Sequence, residues 1–145
     1  MIERTIKDRK GVTLIELLVV VLIISVLAAI ARPQLLQAIV RARAADAISE
    51  LRVVRVALYN YQSDNQAWPS EASSGIIPPG LEGYLPVGFD LVKEDYTLDF
   101  ENWGGTPFVI GITLITSDSL LGRMTLEMMA SPKWNTGDKY TWVIE

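Results

Sequence analysis

An α+β fold is predicted for this chain, with one long amino-terminal helix packed on a small antiparallel sheet. Three observations carry the prediction. Residues 12–31 are apolar apart from Thr13, Glu16 and Ser25. Residues 35–61 contain no Gly or Pro, and their apolar side chains return every three or four positions. Beyond Tyr96 the apolar residues alternate instead, in short segments set apart by turn residues. Alternation is the period of strands, not of helices.

The first element starts behind a basic head of Arg4, Lys7, Arg9 and Lys10. Its twenty residues would make about 30 Å of helix, the thickness of a hydrocarbon core. Basic residues hold the cytoplasmic side of a span, although Arg32, Arg41 and Arg43 follow closely enough to make that orientation a narrow choice. The junction reads Lys10-Gly11-Val12-Thr13-Leu14-Ile15-Glu16, and Pro33 stands just beyond the apolar run. This arrangement, over residues 10–61, resembles the class III signal of type IV pilins and type II secretion pseudopilins. The resemblance implies that a prepilin peptidase cuts after Gly11 and methylates the new amino terminus at Val12. It assigns Glu16 to filament assembly and matches Pro33 to the proline that follows the family's membrane segment. Val12 departs from the phenylalanine usual at the first mature position. The implied fold is the pilin fold.

Chemistry supplies a reason for the spacing. Cleavage after Gly11 would create an α-amine on Val12, and residues four apart share a helix face. A carboxylate inside lipid costs roughly 2.5–3.5 kcal/mol at mid-membrane and persists where it is paired. Glu16 would neutralise the amine of its own chain or of a staggered neighbour, and the second arrangement sets the register of a bundle. Plainer readings are an ordinary anchor, a Glu16 that merely snorkels to water, and a removable secretory signal cut at Ala29-Ile30-Ala31. The apolar stretch of a secretory signal is about 7–15 residues, shorter than this one. Neither anchor nor secretory signal explains a carboxylate one turn from Gly11.

The helix is expected to continue past Pro33, whose missing N–H and bulky ring should kink or interrupt it. Val40, Ala44, Ala47, Leu51, Val54, Leu58 and Tyr61 form an apolar stripe for the head to cover. From Val12 to about Gln62 such a helix would run ~75 Å. Residues 63–83 read as an irregular connection, punctuated by Trp68-Pro69, Gly75 and Pro78-Pro79-Gly80. Four strands are expected after it. The first is at 96–100, the second carries Phe108, Ile110, Ile112 and Leu114, the third Met124, Leu126 and Met128, and the fourth Tyr140, Trp142 and Ile144. Turns at 117–119 and 135–138 favour an antiparallel meander. The expected organisation is therefore leader 1–11, transmembrane and polymerisation helix 12–33, amphipathic half 34–62, and globular head 63–145.

Composition narrows function. The chain has 145 residues, no Cys and no His. Ser-His and Cys-His nucleophile pairs are thereby excluded, the common zinc ligands are missing, and an enzyme is not expected. Residues 32–59 hold five arginines against Asp46 and Glu50, a balance of +3, whereas residues 60–145 hold twelve carboxylates and four basic residues, a balance of −8. Basic helix flanks meeting acidic heads would give neighbouring subunits lateral complementarity; a solvated acidic surface is the alternative. Asp90, Glu94, Asp95, Asp99 and Glu101 are the densest acidic run. No cofactor is called for, and the calcium that some major pseudopilins hold in the head is the one exception the resemblance leaves open. The run lacks EF-hand spacing, and alternation points Asp99 to solvent. Trp142 reads as core, while Trp103 and Trp134 sit beside turns as loop pins or as anchors between subunits.

The expected product is a structural subunit of a type IV pilus or pseudopilus. It would be an inner-membrane, single-pass precursor that ends in a surface or periplasmic filament. The resemblance implies a homopolymer, a prepilin peptidase, an assembly ATPase and an inner-membrane platform protein as partners. Nothing in the sequence addresses nucleic acid. The rival from another class is a monomeric single-span envelope protein with a binding head.

Overall fold

The computed structural model describes residues 11–105, 109–130 and 132–145. Helix α1 spans Leu14–Asn65 and passes through Pro33 without a break, as the single long helix expected from the sequence. Proline removes a single N–H from the ladder, and the good helix formers on either side keep the turns around it. The helix stops at Asn65, with Gln66 in the left-handed region at φ 55° and its N–H returned to the Gln62 carbonyl. By internal contacts the chain divides at Gln37, and Ala38–Glu145 forms a compact unit of its own.

In that unit the expected stripe is buried where the head covers it. Ala44, Ala47, Leu51, Val54 and Leu58 are buried, joined by Ile48 and Ala57, while Val40 and Tyr61 are half-buried. Their partners come from a four-stranded antiparallel sheet of β1 (Thr97–Asn102), β2 (Ile110–Ile115), β3 (Lys133–Thr136) and β4 (Lys139–Val143). Two cross-strand rows, Leu98–Leu114–Tyr140 and Phe100–Ile112–Trp142, join Leu51, Val54 and Leu58 in one core. Strand alternation puts Asp99, Thr113 and Thr141 on the opposite face, where the two threonine hydroxyls lie 2.9 Å apart.

Three expectations are corrected. The segment read as a third strand is helix α2, Ser119–Met128. Met124, Leu126 and Met128 alternate, but the buried positions Leu121, Thr125 and Met129 are four apart, which is a helical period. Ser117, Asp118 and Ser119 are not a turn but the helix start, because the Asp118 carboxylate accepts from the N–H groups of Leu120 at 2.9 Å and Leu121 at 3.1 Å. Lys133 closes the other end by donating from Nζ to the carbonyls of Glu127 and Met129. The real third strand, Lys133–Thr136, takes the first half of what read as a turn and leaves Gly137 and Asp138 for the hairpin.

The sheet order is consequently β1-β2-β4-β3, not a meander. Residues between β2 and β3 include α2, so β3 lands beyond the place that β4 returns to fill. Gly122 lets α2 approach the sheet, since a Cβ there would run into the ring of Tyr140. Phe108, expected on the second strand, lies outside the described residues.

Candidate processing and assembly site

The site begins where α1 begins. Thr13 and Glu16 cap the helix reciprocally. The Glu16 N–H donates to Thr13 Oγ1 at 3.3 Å, and Glu16 Oε2 accepts from the Thr13 N–H at 2.8 Å and its hydroxyl at 2.9 Å. This is a capping box, in which two orphan donors of the first turn are satisfied by side chains three residues apart. The carboxylate also sits at the positive end of the helix dipole. A charge that reads as an intruder in an apolar run is thus bonded within its own chain. Ser25 is handled likewise, its hydroxyl donating to the Val21 carbonyl at 2.7 Å.

Around this cap the surface is open. Gly11 has nothing within 4 Å of the place its Cβ would take, and Val12 is 76% exposed. Every large apolar side chain from Val12 to Ile39 is between 41% and 80% exposed. The helix contains an eighteen-residue window of mean hydropathy 3.0, none of it buried, which by length and composition is enough to cross a membrane. Gly11, Val12 and Glu16 therefore share one helix start, and Pro33 lies further along the same helix. Thr13 is the member that sequence reasoning missed. Its signal was present, because Thr-x-x-Glu ahead of an apolar run is the signature of a capped start.

In the head the acidic run does not converge. The Asp90 carboxylate accepts from the Val92 N–H, and Asp95 pairs with Arg43 at 3.2 Å. Glu50 pairs with Lys93 at 3.0 Å and accepts from the Tyr96 hydroxyl at 2.8 Å, along one side of a cleft of about 440 Å³. Burial first, then that bond to Glu50, holds the Tyr96 hydroxyl far above the usual phenol range. Asp99 does not face solvent as expected. It is 8% exposed, and burial, followed by the charges of Glu101 and Glu71, raises its carboxyl to about 6. Among the described residues no group of three or more His, Cys, Asp or Glu is placed to hold a metal ion.

The basic flank of α1 is partly consumed inside the head, with Arg43 on Asp95 and Arg55 lying over the rings of Tyr59 and Trp142 at 5.6 and 5.0 Å. Trp142 is in the core as expected, and Trp103 and Trp134 pack on each other with ring centroids 5.6 Å apart.

Comparison with known proteins bears on the same segment. Residues 6–31 match the family model described as the prokaryotic N-terminal methylation motif. The chain is 39% identical over 75 residues to fimbrial protein EcpC of Eikenella corrodens, covering 52% of this chain and 49% of that protein. It is 38% identical over 64 residues to type II secretion system core protein G of Pseudomonas aeruginosa, covering 44% of this chain and 45% of that one. Each match thus spans less than half of the relative's length. No solved structure matches significantly. Behind Gly11 and its capped apolar helix, the chain thus carries the prokaryotic N-terminal methylation motif, and over about half of its length it is similar to a fimbrial protein and to a type II secretion core protein.

Proposed function

We propose that this protein is a structural subunit of a type IV pilus or related filament, polymerised through the first half of α1. The observation that carries the reading is a single carboxylate, Glu16, at the start of an apolar helix whose large side chains are exposed. Prepilin peptidase cuts after Gly11 and the new amine at Val12 is methylated. Glu16 then serves twice, as helix cap and as partner of that amine on its own or a neighbouring chain. Pro33 marks the end of the membrane half. The precursor is held in the inner membrane, and an assembly ATPase and a platform protein extract it. No chemistry is catalysed, and calcium is not required for the head to fold.

The pseudopilin of a type II secretion system is the second reading. It is supported by the likeness to core protein G and by the absence of Cys, since a disulfide loop in the head is ruled out. Intact mass of the protein from its native membrane, with electron microscopy of sheared fibres, tests the whole proposal. A chain that starts at Val12 with one extra methyl group, and filaments built of it, are expected. A functional form that keeps Met1 would leave a monomeric single-span protein, and one that starts at Arg32 would leave an exported head without a span; either would overturn the filament reading.

A further inference from the structure

The head covers one face of α1 and leaves another bare. On the bare face Ala42, Ala45, Ser49, Arg52, Val56 and Tyr59 follow one another in alternating steps of three and four residues, and all are exposed. Such spacing is that of a coiled-coil seam, distinct from the stripe buried under the sheet. In sequence the same steps run back through Leu35, Ala31, Ala28 and Ile24. Ser49, Arg52, Val53 and Val56 form one side of a groove of about 570 Å³, with Tyr84, Leu85 and Pro86 on the other. Val56 is 59% exposed. Just past the groove Val87 is fully exposed, held out by a turn that the Phe89 N–H closes on the Pro86 carbonyl. Gly88, at φ 77°, permits that turn.

We propose that this groove receives the apolar helix of a second copy, so that the assembly surface extends past Pro33 onto the head as far as Tyr59 and Val87. The inference rests on the filament reading and adds a named contact to it. The occupant is chosen by complementarity. The stretch of α1 from Leu14 to Ile39 is helical, and its exposed large apolar side chains lie all round the helix, so those at three-four spacing on any one face can seat as knobs between those of the groove. Ala42, Ala45 and Ser49 are small, which allows two helix axes to come within about 8 Å. Arg52 is the single charge in the seam. Its stem covers apolar surface while its head reaches the rim, and one polar group in an apolar seam fixes register.

A chain without cysteine makes the test clean. Ser49→Cys and Val56→Cys are labelled with a maleimide in detergent-dispersed mature protein and in intact filaments, with Asp138→Cys in the hairpin turn as control. Both groove positions should react about tenfold more slowly in filaments, equivalent to about 1.4 kcal/mol of occlusion, while Asp138→Cys is unchanged. Equal reactivity of Val56→Cys in the two states would overturn the docking site and leave the filament reading standing. Absence of any filament from the parent chain would remove the filament reading itself. Protection already present in precursor vesicles would give the groove to lipid and overturn the proposal. Val56→Asp should abolish filaments while processing and head folding persist, and wild-type fibre yield from it would count against the groove.

Discussion

At the scale of single residues, two carboxylates make opposite arrangements with their surroundings. Glu16 is exposed and accepts from Thr13, so its cap and its charge can be separated by substitution. Glutamine also closes a capping box, because its amide oxygen accepts from the same N–H. Glu16→Gln should therefore insert and be processed normally yet fail to build filaments, as read by intact mass and electron microscopy. Normal fibre yield would reduce Glu16 to a cap. Asp99 is instead buried against Glu101 and Glu71, relieved in part by Lys139 and Ser74, and its carboxyl lies near 6 where 3.8 is ordinary. A raised value means that the folded head holds this proton more tightly than the unfolded chain does. The stabilisation it contributes is complete below about pH 4 and is lost as pH rises through about 6. Asp99→Asn should raise the Tm of the head at pH 7 and flatten its change between pH 4 and 6. An unchanged profile would show that Asp99 is already relaxed by water.

At the scale of elements, α2 is held by a cap and by a close approach. Asp118→Ala removes the acceptor for two N–H groups and should cost about 1 kcal/mol in urea unfolding of the head. Gly122→Ala drives a methyl into the ring of Tyr140, which is buried at 3% exposure. Its expected cost is about 1–3 kcal/mol, and a neutral effect would mean that α2 does not sit on the sheet as described. These two residues also explain what sequence could and could not tell. Strands β1, β2 and β4 were legible because a single covered face imposes alternation on Leu98, Phe100, Ile112, Tyr140 and Trp142. Helix α2 was not, because over five residues Met124, Leu126 and Met128 satisfy a two-residue period as well as a helical one. Only Asp118 distinguished them, and an aspartate between two serines serves a turn as readily as a cap. Strand β3 has no buried residue to announce it, its four positions being half-buried or exposed. The apolar helix behind Gly11 and Glu16 was legible as a run without polar breaks, whereas the groove depends on residues 84–86, which no periodicity connects to α1.

At the scale of the whole molecule, the buried core is drawn from Ala44 onward, and among the described residues none before it is buried. The unit Ala38–Glu145 consequently has a core of its own, while the large side chains in the apolar half of α1 are exposed. Within lipid this half is indifferent to its surroundings, since acyl chains are as apolar as leucine and association relies on packing. Outside lipid the same surface is driven to hide at about 25 cal/mol per Å². A fragment beginning at Gln34 should therefore be a soluble, folded monomer with a cooperative unfolding transition. The processed full chain, freed of detergent, should sediment as filaments or as insoluble material. If the fragment aggregated, the exposed seam at Val56 and Tyr59 would be sticky enough to assemble alone, and Val56→Asp in the fragment should then restore the monomer. If the full chain instead sedimented as a stable monomer, the apolar helix would have to be covered by its own head. Polymerisation through that helix would then lose its driving force.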